Sequence, residues 1–353
     1  MIVPANPRIA IAGATGAVGE TLRDLIVSRN FPYQSLHLLA SQRSAGRMLE
    51  VDGRSYRVEA LEDFDFAEVD IAFFSCGTPV SRIHAVRAAR EGALVIDNTN
   101  AFRMDSDTPL CVPQVNAHVL ATRPSSGIVA NPNCSTIPLV RLLQPLDRLF
   151  GIERVFVSTY QAASGAGANG IAELEDGTRS LLADPDMPAS HARFAVPLPF
   201  NLIPSIDAPL ETGFTLEEQK MTRESRKILE RPDLRLTATC VRVPVVNGHS
   251  EAAYILFRDT VDREAAVAAL REAPEVLVFD EGAGAVAYPT PRYLVDADKV
   301  HVGRIRKDPD DPCGLWLWLI ADNLRIGAAL NAIQIAEVLV SAAAGDNTLE
   351  KVA

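Results

Sequence analysis

The run Asn131-Pro132-Asn133-Cys134-Ser135-Thr136-Ile137-Pro138 sets a thiol between a short apolar strand pattern, residues 128–130, and a helical pattern, residues 137–149. The start of a helix stabilises thiolate, drawing a cysteine below its free pKa of about 8.5. Thiolate is the reactive form, and its characteristic chemistry is attack on an acyl carbon to give a thioester. Placement alone leaves other readings open. Cys134 also fits a buried structural thiol, and Cys76, in Phe73-Phe74-Ser75-Cys76-Gly77, ends a strand pattern in the same way. Cys111, Cys240 and Cys313 read as core or loop residues. The five cysteines form no CxxC pair and no Cys/His group at zinc spacing, so no metal is expected.

Four further clusters carry groups suited to an anionic substrate. Residues 98–103 end a strand pattern with the cation Arg103, and residues 159–167 offer the amide of Gln161 beside a flexible turn holding Ser164 and Gly165. Glu217 and Lys220 lie one turn apart on a helix face. Arg242 and His249 are separated by a turn at Asn247-Gly248, with Glu251 just beyond. Each cluster has a purely structural reading, such as a surface ion pair or a satisfied core histidine. A thiol, a histidine and several cations beside one nucleotide fold are harder to explain that way.

The nucleotide fold is signalled by Gly13-Ala14-Thr15-Gly16-Ala17-Val18-Gly19, placed between a strand pattern at 8–12 and a helical pattern at 18–28. Glycines there allow a tight turn and close backbone approach to a pyrophosphate, and the helix start favours its charge. NAD-preferring folds place a carboxylate at the end of the second strand. Here residues 35–40 lead into Ser41-Gln42-Arg43-Ser44, with hydroxyls and a guanidinium instead. That chemistry answers the 2′-phosphate of NADP.

The elements that must hold these groups follow from periodicity. Strand patterns at 8–12, 35–40, 70–75, 93–97 and 128–130, spaced by helix-length segments, predict βαβ units and a parallel, doubly wound sheet. Beyond residue 134 the pattern changes. A strand at 154–161 leads into the glycine-rich turn, and a proline-rich passage follows at 185–209. Thr215 and Glu218 form a capping-box pattern opening a helix to about Leu229. Strands are expected at 235–243, 252–257, 300–306 and 315–321, then an Ala-rich helix at 323–343. With 353 residues, the chain suits two domains.

A net charge of −11 argues against a nucleic-acid binder. The first seven residues lack a basic and an apolar region, so no signal peptide is expected. The longest apolar runs, 71–74 and 315–320, are too short to span a bilayer. With an odd cysteine count, this points to a cytoplasmic enzyme.

Taken together, these stretches resemble the bacterial-type aspartate-β-semialdehyde dehydrogenases. The likeness runs in family order through residues 13–19, 41–46, 97–104, 131–138, 158–167, 200–207, 217–227, 240–251, 302–308 and 321–337, almost the whole chain. It implies a Rossmann-type NADP-binding domain over 1–133, completed by a C-terminal helix at 322–353, and an α+β catalytic and dimerisation domain over 134–321. It implies Cys134 as nucleophile, His249 as acid/base catalyst with an ordinary pKa of about 6.5, and Gln161 orienting the acyl intermediate. Arg242 and Glu217 would bind the substrate's carboxylate and amine, and Arg103, Asn133 and Lys220 its phosphate. Gly13, Thr15, Gly16, Ala17, Val18, Ser41, Arg43, Ser44, Ser164, Gly165 and Asn323 would line the NADP site. The implied reaction is NADPH-dependent reductive dephosphorylation of L-aspartyl-4-phosphate by a homodimer. It serves synthesis of lysine and diaminopimelate, threonine, methionine and isoleucine.

Some residues depart from the family pattern: Cys76, the pair Val246-Asn247, an apparent insertion at 291–300, and the bulky Trp316 and Trp318. Alternatives of the same fold are reductases of malonyl-CoA or N-acetyl-glutamyl phosphate, and, from another class, a nucleotide-binding scaffold without activity.

Overall fold

The computed structural model describes residues 3–184, 191–280 and 288–344. The start of the proline-rich passage, at 185–190, and the end of the expected C-terminal segment, at 345–353, lie outside the described residues. The chain divides into two units, one holding the residues to Asn133 and again from Ala328, the other Cys134–Gly327. The return to the first unit therefore falls later than the residue 322 expected above.

The first unit runs through β1 (Arg8–Ala12), α1 (Ala17–Ser28), β2 (Ser35–Ala40), a hairpin of β3 (Met48–Val51) and β4 (Arg54–Arg57), and the short β5 (Glu59–Ala60). It continues with β6 (Ile71–Phe74), α2 (Thr78–Arg90), β7 (Leu94–Asp97), α3 (Pro113–Asn116) and β8 (Ile128–Ala130). Six parallel strands form its sheet in the order β5-β2-β1-β6-β7-β8. Counted along the chain this is the 3-2-1-4-5-6 order of dinucleotide folds, reversing between β1 and β6. β6 and β7 are buried at every residue, as continuous apolar runs in a covered parallel sheet should be.

The second unit comprises α4 (Thr136–Phe150), β9 (Ile152–Gln161), α5 (Ala168–Ala183), α6 (Leu216–Ile228), β10 (Arg235–Arg242), β11 (His249–Phe257), α7 (Arg263–Glu272), β12 (Val276–Phe279), β13 (Val300–Lys307) and β14 (Gly314–Ala321). Its mixed sheet has the order β10-β9-β11-β14-β13-β12. Alternation along β9 and β10 gives the sheet one buried face, covered by helices including α4 and α6. The other face is more open and carries Phe156, Tyr160, Tyr254, Trp316 and Trp318, with ring centroids 4.8 Å apart for Tyr254–Trp316 and 5.6 Å for Tyr160–Trp318. The two bulky tryptophans thus extend an aromatic surface and leave the core alone.

The expected helix at 323–343 is two pieces. A π-helical turn at Arg325–Ala329 precedes α8 (Leu330–Ala344), which re-enters the first unit. The stretch Arg325–Ala343 is long and apolar enough to cross a membrane, yet 78% of it is buried inside the protein, which marks a core helix. Helices α5 and α7 stand where no helix is expected from sequence. Two buried glycines in α5, Gly170 and Gly177, disguise its periodicity.

Candidate active site

On the buried face of the mixed sheet, three expected residues stand in one transverse row. Gln161 pairs with Arg242 across β9 and β10. Tyr160 pairs with Ser250 across β9 and β11, which sets His249 level with Gln161. The row is the last rung of the sheet, since β9 and β10 end with it and β11 begins with it. Neighbours sit about 4.8 Å apart, the inter-strand spacing. His249 thus lies on a strand that starts earlier than the expected residue 252.

His249 accepts a hydrogen bond at Nδ1 from the backbone N–H of Ala162, 3.1 Å away. A backbone N–H can only donate, so the ring proton is on Nε2. Nε2 is buried and has no partner among the described residues. Burial pushes the ring's pKa down to about 3, helped by the Arg242 guanidinium. This corrects the ordinary value expected from sequence: near neutrality the imidazole is uncharged and offers one N–H.

Arg242 donates from Nη1 to the Ala162 carbonyl at 2.7 Å and lies 5.9 Å from the Phe194 ring. Burial lowers its pKa, opposed by the charges of Cys134 and Glu217. Gly165 packs so closely that a Cβ would lie 2.7 Å from Arg242 Nη1 and 3.1 Å from His249 Nε2. Only glycine leaves that space between the two side chains.

Gln161 donates from Nε2 to Ser135 Oγ at 2.5 Å and to Glu217 Oε1 at 3.0 Å. Glu217 is held by the start of α6, where Thr215 and Glu218 complete the expected capping box and Glu218 also accepts from the Cys240 N–H. Its second oxygen accepts from Lys220 Nζ at 3.0 Å, and Lys220 also reaches Asp207 Oδ2 at 2.6 Å. A polar chain thus runs Asp207–Lys220–Glu217–Gln161–Ser135.

Cys134 precedes Ser135 and the first turn of α4, and is partly exposed. Gly327, in the π turn, is packed against it: a Cβ there would lie 2.6 Å from the Cys134 Cβ. Burial pushes Cys76 up to about 11, with the Asp97 carboxylate adding to the effect.

Two rungs behind the row, on the same face, stand Cys240, Thr159 and Glu251, paired in the same register. Glu251 is fully buried, and neither carboxyl oxygen has a hydrogen-bond partner among the described residues. Burial raises its pKa well above the ordinary carboxylate value, which favours the protonated form.

Ser164 and Asn323 meet in the same unit, the hydroxyl lying 3.0 Å from Oδ1 of both Asn323 and Asn247. Asn247 also donates to Asp322, so this departure from the family pattern braces the loop before β11. Gly248, whose N–H donates to Asn323, lies beneath Pro291, which gives the 291–300 segment a packing contact here.

In the first unit, the glycine turn fits a dinucleotide. Gly13 has φ +89°, and a Cβ on it would strike the Ser75 carbonyl at 2.8 Å; one on Gly19 would strike the Gly13 carbonyl at 2.2 Å. Thr15 and Gly16 are exposed, and α1 opens at Ala17 and Val18 with no side chain capping its first N–H groups. That leaves the donors a pyrophosphate requires. Ser41, Arg43 and Ser44 follow β2 in a short turn, with Arg43 exposed and in no ion pair among the described residues. Arg103 is buried and donates to the carbonyls of Asn131 and Asn98, each at 2.9 Å; Asn133 is buried nearby in sequence.

Residues 8–123 match the semialdehyde dehydrogenase NAD binding domain, and residues 143–326 match the semialdehyde dehydrogenase dimerisation domain. The chain belongs to the semialdehyde dehydrogenase family. Within that family it is 46% identical to an aspartate-semialdehyde dehydrogenase of Aquifex aeolicus, over 94% of this chain and 98% of the relative. It is 45% identical to that of Bacillus subtilis, over 94% and 96%. The solved structure of aspartate semialdehyde dehydrogenase II from Vibrio cholerae, complexed with ASA, superposes with a TM-score of 0.91 at 44% identity, covering 95% and 98% of the two chains. A semialdehyde dehydrogenase from Candida albicans solved with NADP gives a TM-score of 0.72 at 26% identity, covering 95% and 98%.

Sequence reasoning missed Ser135, Asp207, Glu251 and Gly327 as parts of the site. Ser135 and Asp207 lie inside the family-like stretches and were legible as neighbours. Glu251 and Gly327 lie inside such stretches too, but they act through burial and close packing, which residue type does not announce.

Proposed function

We propose that the chain interconverts L-aspartyl-4-phosphate and L-aspartate-4-semialdehyde with NADP(H), carrying the acyl group on Cys134. The observation that carries this reading is the row Arg242–Gln161–His249, whose middle member binds the residue next to Cys134. In the biosynthetic direction the Cys134 sulfur bonds to the β-carbonyl carbon and the C–O bond to phosphate breaks, leaving a thioester. His249, with its proton fixed on Nε2, donates to the negative charge that develops on oxygen. Arg242 spends one nitrogen on Ala162, and the rest of its fork would grip the substrate carboxylate. Gln161 orients the acyl group, Glu217 takes the substrate amine, and Lys220 takes the phosphate, a role also assigned to Arg103 and Asn133.

The Gly13–Gly19 turn and the Ser41–Ser44 turn would hold the dinucleotide, with Arg43 on the 2′-phosphate. Ser164, Gly165 and Asn323 are assigned to the same cofactor. When bound, it supplies the hydride that reduces the thioester. The absence of a carboxylate after β2 supports NADP over NAD.

The aromatic open face of the mixed sheet, within the segment matching the dimerisation domain, supports a homodimer closed over that face. Five cysteines scattered without a CxxC pair accord with a cytoplasmic setting.

The test is phosphate-dependent oxidation of L-aspartate semialdehyde with NADP by the purified chain, beside Cys134→Ala and Cys76→Ala. Activity abolished only by Cys134→Ala is expected. Wild-type protein that binds NADP yet leaves this substrate untouched overturns the reading.

A further inference from the structure

Lys220 is shared between two carboxylates of unequal standing. Glu217 is almost fully buried, its side chain 7% exposed, and its other oxygen is bound to Gln161. Asp207 is 35% exposed, lies outside the regular elements, and holds Lys220 at 2.6 Å. Two carboxylates already share the donors of one ammonium, so an incoming phosphoryl group must compete with them for it. One of the three groups must yield before a phosphate can be gripped. Glu217 is the poor candidate, since moving it strands a buried charge and breaks its bond to Gln161.

Asp207 is the group built to leave. Its backbone has φ +69°, a conformation that side-chain-bearing residues rarely adopt. Its other oxygen accepts from the adjacent Ala208 N–H at 2.9 Å, so the half-exposed carboxylate can turn away about its own side-chain bonds by giving up that one contact and Lys220. While it stays, it anchors the outer end of the chain Lys220–Glu217–Gln161–Ser135 beside Cys134.

We propose that Asp207 is a resident anion at Lys220, holding the ammonium in place in the free enzyme and competing with the substrate's phosphate for it. This rests on the reading that Lys220 binds that phosphate. Asp207 is a positioning residue: it acts on the reaction through Lys220 and touches no reacting atom.

The test is the KM for inorganic phosphate in semialdehyde oxidation with NADP, measured on the full chain. Asp207→Asn removes the charge and keeps the shape, and asparagine tolerates positive φ, so folding is preserved. Phosphate KM should fall about three- to five-fold, kcat at saturating phosphate changing less, and the gain should shrink as ionic strength rises. Asp207→Glu, which keeps the charge, should stay near the parent. Lys220→Ala should raise phosphate KM. A phosphate KM unchanged or raised in Asp207→Asn, with Lys220→Ala impaired, overturns the role of Asp207 and spares that of Lys220. An equal fall in Asp207→Glu assigns the effect to the backbone and overturns it too. If Lys220→Ala leaves phosphate KM unaltered, the phosphate reading of Lys220 itself is wrong.

Discussion

The Ala162 backbone N–H donates to Nδ1 of His249 over 3.1 Å, and this one bond decides which ring nitrogen carries the proton. A second proton would have to displace it, so the ring offers its proton at Nε2, and the proposed role of His249 is that of a fixed donor there. His249→Gln keeps an N–H near that point and should retain about 10-fold or more activity over His249→Ala, as a charge-assisted bond is worth about 1.5–3 kcal/mol. The kcat/KM profile of the parent should show no inflection near the ordinary histidine pKa of about 6.5. An inflection there that vanishes in His249→Gln would show that the ring titrates as a base.

Gly327→Ala should cripple the enzyme even though alanine ordinarily stabilises a helix by about 0.5–1 kcal/mol over glycine. The new methyl has nowhere to go but into Cys134, whose Cα it would approach to 2.9 Å. Overpacking of this kind costs about 1–3 kcal/mol. The expected signature is a fall in kcat of about 10-fold or more with KM little changed, and slowed alkylation of Cys134 by iodoacetamide. Normal alkylation and turnover would mean that the π turn moves freely away from the thiol.

Glu251 supplies a pH signature. Its folded pKa is raised well above the ordinary value of 4.5, so above that pH the unfolded chain gives up a proton that the folded chain keeps. Its stability contribution is therefore fully present below 4.5 and is lost as pH rises toward the folded value. In Glu251→Gln this loss disappears. Thermal melts of variant and parent should diverge in the variant's favour as pH is raised from about 4 to about 8. Parallel curves would show that Glu251 is already ionised in the fold.

Arg43→Ala should raise the KM for NADP about 10- to 100-fold, the loss expected for a charge-assisted bond to phosphate, and leave NAD nearly untouched. Equal effects on both cofactors would remove Arg43 from the 2′-phosphate.

Arg242→Lys preserves charge but not the planar fork, which holds Ala162 and is proposed to reach the substrate's carboxylate at the same time. kcat/KM for the semialdehyde should fall about 10-fold or more. Unchanged kcat/KM would overturn the assignment.

Local signals carried far in this chain. The Gly13–Gly19 turn, the cysteine before α4 and the Thr215–Glu218 capping box are each written in a few consecutive residues, and the structure has all three where they are expected. What stayed hidden depends on partners distant in sequence. Nothing near Gln161 announces that Arg242 and His249 flank it, because strand register is set by pairing across many intervening residues. The low pKa of His249 comes from burial and a backbone bond, neither visible in residue type. The π turn around Gly327 lies inside an Ala-rich run whose period reads as one unbroken helix.

The transverse row also bears on how faithfully the chain must fold. Side chains alternate between sheet faces, so a slip of β9 by a single residue against its neighbours would bring Tyr160 to the place of Gln161 and turn Gln161 toward the aromatic face. The same error would spoil the surface proposed to meet a second subunit. Misregistered molecules would fail to assemble as well as fail to react, so pairing doubles as quality control, and the dimers that form would carry correctly threaded sites.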